Sequence, residues 1–316
     1  MSIGGLVGSQ IDRYQLEGLL GVGGFGSGYR ARHVRTKAVV ALKVLKAELA
    51  ADAVTLERFQ REASTAATAA SEHIVRVLDA DVTPNGTAFI AMELLDGDDL
   101  KLIARHEGLL HPARVVNLCM QVLSGLGAAH EKGIVHRDMK PGNVFVSRRT
   151  DPRGREVEHA QVLDFGISKI AGSKALTVAG VTMGTPPYMA FEQFVDARKV
   201  DARTDLYAVA VMLFELLSGQ LPYDGPDLMV LLNKVRISER PELRSIAPSL
   251  PVPLCAVVEK GLEKDRDRRW QSAREFSAAL DKATLLLDAP PPLLERRGAD
   301  ELEPFQASHD AKTELD

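Results

Sequence analysis

Cysteine is scarce in this sequence: there are two, Cys119 and Cys255, among 316 residues. Two thiols cannot build a disulfide framework. Both sit in apolar, helix-like runs and read as reduced core thiols of a cytosolic protein. No Cys/His spacing resembles a zinc site. Aromatic residues make up only 5% of the chain, and the single tryptophan, Trp270, reads as a core anchor. Basic charge is not in excess: 39 Lys and Arg against 43 Asp and Glu leave a formal net charge of −4. That balance gives no electrostatic case for nucleic acid or an anionic membrane as partner. Long hydrophobic runs are missing too. The longest, Leu206 to Leu217, is interrupted by Glu215 and reads as a buried helix, not a membrane span. The stretch Met1 to Gln10 is glycine-rich and lacks the basic region and apolar core of a signal peptide. Together these absences place the expected site of action in the cytoplasm. What remains, 45% hydrophobic and 26% charged residues, is ordinary for a globular protein of one large or two modest domains.

One stretch organises the chain: His136-Arg137-Asp138-Met139-Lys140-Pro141-Gly142-Asn143, answered downstream by Asp164-Phe165-Gly166. The apolar runs Val144-Phe145-Val146 and Val162-Leu163 between them read as buried strands. A loop feeding a strand, with a hairpin returning to deliver Asp164, would gather Asp138, Lys140, Asn143 and Asp164 around one cleft. That set suits phosphoryl transfer. One carboxylate accepts the proton of an incoming hydroxyl, an ammonium neutralises the transferring group, and an amide and a second carboxylate hold Mg²⁺.

The pattern H-R-D-x-K-P-x-N followed by D-F-G resembles the catalytic and metal-binding loops of protein kinases, and most closely those of the bacterial eukaryotic-like Ser/Thr kinases. The resemblance runs from about residue 14 to about residue 280. It implies an α+β, two-lobed kinase fold: an antiparallel N-lobe sheet with one main helix over residues 14–95, and a mainly helical C-lobe over 96–287. Residues 1–13 read as an N-terminal extension. Residues 288–316, opening on Pro290-Pro291-Pro292 and then acidic and polar, read as a disordered tail. Bacterial relatives often carry a transmembrane helix after the kinase domain; none is expected here.

In chain order, Tyr14 to Leu20 is a strand candidate that runs into Gly21-Val22-Gly23-Gly24-Phe25-Gly26. Dinucleotide-binding folds use the same glycine spacing but open a helix after it. Here Ser27-Gly28-Tyr29-Arg30-Ala31 follows, with a strand at Val39 to Leu45, an order that fits a phosphate-covering kinase loop. Val40-Ala41-Leu42-Lys43 resembles V-A-I-K. By resemblance Lys43 reaches the α- and β-phosphates, and the helix expected over Asp52 to Ala70 supplies its acid. Glu62 is the choice, and Glu57 is read as a surface partner of Arg61. The family's nucleotide contacts fall on Leu20, Gly21, Val22, Gly23, Gly24, Phe25, Gly26, Ser27, Gly28, Ala41, Lys43, Met92, Glu93, Leu95 and Phe145. Catalytic roles fall on Asp138 and Lys140 with Lys43 and Glu62, and metal binding on Asn143 and Asp164.

Strands are expected at His73 to Ala80 and Thr87 to Met92, around the turn Pro84-Asn85-Gly86, and helices at Asp99 to Arg105 and Pro112 to Lys132. Ser147 to Ala160, polar and charged, reads as a solvent loop. Asp164 to Glu192 forms the expected activation segment, with Thr177 or Thr182 as its autophosphorylation site and Arg137 as the phosphate's partner. Gly184-Thr185 looks like the substrate-facing turn. By resemblance Asp205 braces the catalytic loop backbone and Arg269 pairs with Glu192.

Two positions depart from the family: Gly28 stands where valine normally covers adenine, and Phe191 where proline precedes the glutamate. The expected activity is transfer of the γ-phosphoryl group of ATP, with Mg²⁺ or its substitute Mn²⁺, to Ser/Thr hydroxyls of proteins. A homodimer through the N-lobe is compatible with the resemblance. The alternatives are a catalytically silent kinase-fold scaffold, supported only by Gly28 and Phe191, and a small-molecule phosphotransferase, disfavoured by the complete activation segment.

Overall fold

The structure, a computed structural model, describes residues 6–23, 26–52, 56, 59, 68–69, 71–165, 186–195 and 200–287. The chain divides into two units. Described residues of the first lie within 6–59 and 76–95, and those of the second within 68–75 and 96–287. Glu57, Glu62, Gly24, Phe25, Gly166, the segment 166–185 with Thr177 and Thr182, and residues 288–316 lie outside the described residues. So does most of the helix expected at Asp52 to Ala70, of which Leu56, Phe59 and Thr68 are helical.

The first unit is a six-stranded antiparallel sheet. Its strands are β1 (Gln10–Ile11), β2 (Tyr14–Val22), β3 (Gly26–His33), β4 (Val39–Leu45), β5 (Val77–Val82) and β6 (Ala88–Glu93), ordered β1-β2-β3-β4-β6-β5. Period-two burial sets its faces. Val40, Leu42 and Val44 of β4 join Tyr14, Leu16, Tyr29, Ala31, Phe89 and Ala91 in one apolar cluster. Ala41 and Lys43 therefore turn to the opposite face. The sequence places β4 correctly and ends β2 two residues early. The strand expected from His73 begins only at Val77, because His73–Val75 belong to the second unit. There Ile74 bridges Val162, and the Val75 N–H donates to the Val162 carbonyl at 3.0 Å.

The second unit is mainly helical. Helix Pro112–Glu131 starts on a proline, whose missing N–H costs nothing at that position. It stops at Gly133, whose φ of +72° favours glycine. Helix Ala202–Ser218 is buried on nearly every side, from Thr204 to Leu217, which is the pattern of a central helix. Asp201 caps its N-terminus by accepting from the Arg203 N–H at 3.0 Å. Helices Leu100–Glu107, Leu228–Ile237, Val252–Gly261 and Ala273–Thr284 complete the framework. Among the described residues no helix is long and apolar enough to cross a membrane. Trp270 is buried, stacks on Phe276 and donates Nε1–H to the Val257 carbonyl at 3.0 Å.

A three-stranded sheet of β7 (Gly97–Asp99), β8 (Val144–Thr150) and β9 (Glu156–Val162) corrects one expectation. The stretch Ser147 to Ala160 is not a solvent loop: it is a paired hairpin with its turn at 151–155. Ser147, His159 and Ala160 are buried. Cross-strand pairing outweighs composition here, with Arg148 opposite Glu158 and the Ala160 N–H donating to Gln121 Oε1 at 2.8 Å. Arg114 adds ion pairs to Glu158 at 2.7 Å and to Glu107.

Candidate functional site

In the first unit the ladder lines up the glycine motif with the lysine. Gly21 lies opposite Gly28, Gly28 opposite Lys43, and Lys43 opposite Ile90. Directly opposed residues share a face. Lys43 therefore sits on the face away from the apolar cluster, with small neighbours on its β2–β3 side. The turn is closed by the Gly23 N–H donating to the Gly26 carbonyl at 2.8 Å. Gly26 is obligatory, since a Cβ there would lie 2.1 Å from the Val44 carbonyl oxygen. Gly28 is not: its nearest neighbours would be 3.9 Å away, in ordinary contact. Leu20, Val22 and Ser27 belong to the same two strands, and Ala41 lies opposite Met92. Glu93 turns its carboxylate onto its own unit's backbone, accepting from the Arg76 N–H at 2.9 Å. Leu95 follows β6.

In the second unit the loop at 136–143 is held by side chains. Asp205, buried in helix Ala202–Ser218, accepts from the backbone N–H groups of His136 and Arg137, each at 2.8 Å, and pairs with His130 Nε2 at 2.8 Å. This is the bracing expected of it. The Asp138 N–H donates to His136 Nδ1 at 3.2 Å. The ring proton therefore sits on Nε2, which donates to the Leu163 carbonyl at 2.7 Å and ties the loop to the chain entering Asp164. Phe165 packs edge-on against His136, with centroids 4.8 Å apart.

The Asp138 carboxylate is the focus of this loop. Lys140 Nζ donates to its Oδ2 at 2.8 Å, and Asn143 Nδ2 reaches the same oxygen at 3.2 Å and the Asp138 carbonyl at 2.7 Å. Asn143 enters β8 from the short 3-10 turn Pro141–Asn143, and its carbonyl accepts from the Leu163 N–H at 2.9 Å, just before Asp164. Phe145 lies on β8 between Asp99 and Gln161. Arg137 and Asp164 both have left-handed backbone, φ +69° and +57°, although neither is glycine. Such conformations cost energy and persist where surroundings enforce them.

Beyond the loop, the short helix Phe191–Val195 is anchored by Glu192. Buried Arg269 donates to both its carboxylate oxygens, at 2.6 and 3.1 Å. Phe191, at the departure from the family pattern, packs against Tyr223, Leu231 and Val235. Sequence reasoning missed Gln193. Its Oε1 accepts from the Ala190 N–H at 3.0 Å, and its Nε2 donates to the Arg137 carbonyl at 2.9 Å. Tyr188 Oη donates to Glu215 Oε2 at 2.6 Å, and burial raises both groups above their ordinary pKa values. Burial likewise pushes the Cys119 thiol up to about 12, leaving it inert.

The protein kinase domain family matches residues 14–279 of the chain. Over 293 residues the chain is 39% identical to the serine/threonine-protein kinase pkn3 of Myxococcus xanthus, covering 88% of this chain and 52% of that protein. Over 278 residues it is 37% identical to the serine/threonine-protein kinase PknD of Mycobacterium tuberculosis, covering 88% of this chain and 40% of that one. It thus spans about half the length of these relatives or less. Among solved structures, the crystallised PknI kinase domain of Mycobacterium tuberculosis superposes with a TM-score of 0.69 at 28% identity, covering 88% of this chain and 98% of that one.

Proposed function

The chain belongs to the protein kinase family, and from that premise we propose that it is a serine/threonine protein kinase. It moves the γ-phosphoryl group of ATP onto Ser or Thr hydroxyls of protein substrates. The family, and the serine/threonine kinase names of its relatives, support the reaction class. The observation that carries the mechanism is the hydrogen-bonded set Lys140–Asp138–Asn143 on one braced loop.

Asp138 accepts the proton of the acceptor hydroxyl as its oxygen attacks the γ-phosphorus and ADP departs. Lys140, 2.8 Å from Asp138 Oδ2, supplies positive charge beside the group in flight. Asn143 and Asp164 suit Mg²⁺ by donor chemistry. Both Asn143 hydrogen bonds use Nδ2, which leaves Oδ1 as a hard oxygen donor. An ion held by Asn143 and Asp164 would supply positive charge to offset that of the phosphates.

Lys43, with Glu62 as its acid, is assigned to the phosphates, and the glycine turn's N–H groups to covering them. The family's adenine contacts are assigned to Ala41, Met92, Glu93, Leu95 and Phe145. Residues 14–95 and 96–287 are assigned as the two lobes. Autophosphorylation at Thr177 or Thr182, and action in the cytoplasm with Cys119 and Cys255 kept reduced, complete the reading.

The test is purified protein with labelled Mg·ATP and a generic protein substrate, beside Asp138→Asn. Label should appear on Ser or Thr and fall about 10²–10⁴-fold in the variant. Nucleotide binding without transfer would favour a silent scaffold and sink the proposal.

A further inference from the structure

The peptide unit between Arg137 and Asp138 is gripped from both ends. Asp205 holds the N–H groups of His136 and Arg137, and His136 Nδ1 holds the N–H of Asp138. The carbonyl of Arg137, between these points, accepts from Gln193 Nε2 at 2.9 Å, across 56 positions of sequence. The other end of the same carboxamide is occupied by the Ala190 N–H at 3.0 Å, so the amide is fixed in orientation. Arg137 is one of the non-glycine residues in left-handed backbone, so its carbonyl direction is one the chain does not choose unaided. Gln193 rides on helix Phe191–Val195, whose neighbouring Glu192 is clamped by Arg269 and accepts from Thr204 Oγ1 at 3.2 Å.

We propose that Gln193 is a positioning residue for Asp138. It makes the left-handed turn at Arg137, and with it the aim of the catalytic carboxylate, conditional on the Ala190–Val195 stretch being docked. This rests on the kinase reading for its kinetic consequence but not for its structural one. Displacing the helix by the length of one hydrogen bond frees the Arg137 carbonyl, and the turn relaxes while Asp205 still holds the N–H side. The device couples the end of the activation segment to the base through a single neutral amide.

The experiment compares wild type with Gln193→Leu, which keeps the shape and loses both hydrogen bonds, and with Gln193→Glu, which keeps the acceptor toward Ala190 and loses the donor toward Arg137. Steady-state kinetics are measured beside hydrogen exchange of the peptide covering 134–142. Both variants should lose about tenfold in kcat, the scale of one hydrogen bond, with KM for ATP and substrate within about twofold. Exchange should rise in 134–142 and stay unchanged in helix Ala202–Ser218. Unchanged kcat and exchange would overturn the proposal. So would a loss in kcat that parallels a uniform rise in exchange across both regions, since that marks general loosening. If the wild type transfers no phosphate yet exchange rises only at 134–142, the kinase reading falls and the positioning role stands.

Discussion

The glycine turn of the first unit and the loop at 136–143 of the second are both short connections, and they are held in opposite ways. Among its described residues the turn rests on backbone: the β2–β3–β4 ladder, the Gly23–Gly26 closure, and glycine where Val44 leaves no room for a side chain. The loop rests on side chains, those of Asp205, His136, Asn143 and Gln193, each satisfying a specific backbone group. A backbone-held turn can flex over a ligand and offer N–H groups in many orientations. A loop held by side chains fixes one carboxylate in one direction. The difference matches the division of labour expected in phosphoryl transfer, between covering phosphates and aiming a base.

The comparison breaks first at Asp205. Asp205→Asn keeps the shape but turns an acceptor of buried N–H groups partly into a donor. The expected loss is about 3 kcal/mol of stability, read from denaturant midpoints, with a fall in kcat exceeding that of Gln193→Leu. Next comes Gly26→Ala. Its methyl group meets the Val44 carbonyl, so β3 and β4 must part, at a cost of about 2 kcal/mol in the same denaturation assay. Weaker nucleotide binding, with kcat at saturating ATP little changed, would mark the turn as a binding element. The smallest effect sharpens the comparison. Gly28→Val has space, and the apolar cover it restores is worth roughly 1.5 kcal/mol. Calorimetric titration with an ATP analogue should show about tenfold tighter binding. No gain would mean that valine at this position does not cover the base in this chain.

The loop residues were legible because they fall in one dense, ordered motif, whereas the framework pair Arg269–Glu192, 77 positions apart, was legible only through the resemblance to the kinase family. Strand β4 was legible through its alternation. The hairpin at 147–160 was not, because its residues are polar and its stability comes from pairing across the turn and from Arg114 and Gln121 on a distant helix. Strand β7 was equally hidden: Gly97-Asp98-Asp99 has no strand propensity and is extended only because β8 lies beside it. Gln193 carried no signal, since a glutamine is informative only when its partner, 56 residues away, is known. What the chain writes locally can be read locally, and what depends on closure of long loops has to be seen.

Arg137 and Asp164 hold their left-handed backbone uphill, and that tension stands ready beneath the working state. A spring of this kind needs no second structure to switch it off. If a restraint were withdrawn, the backbone there would relax toward an ordinary conformation, and recovery would mean rebuilding the grip, not the fold.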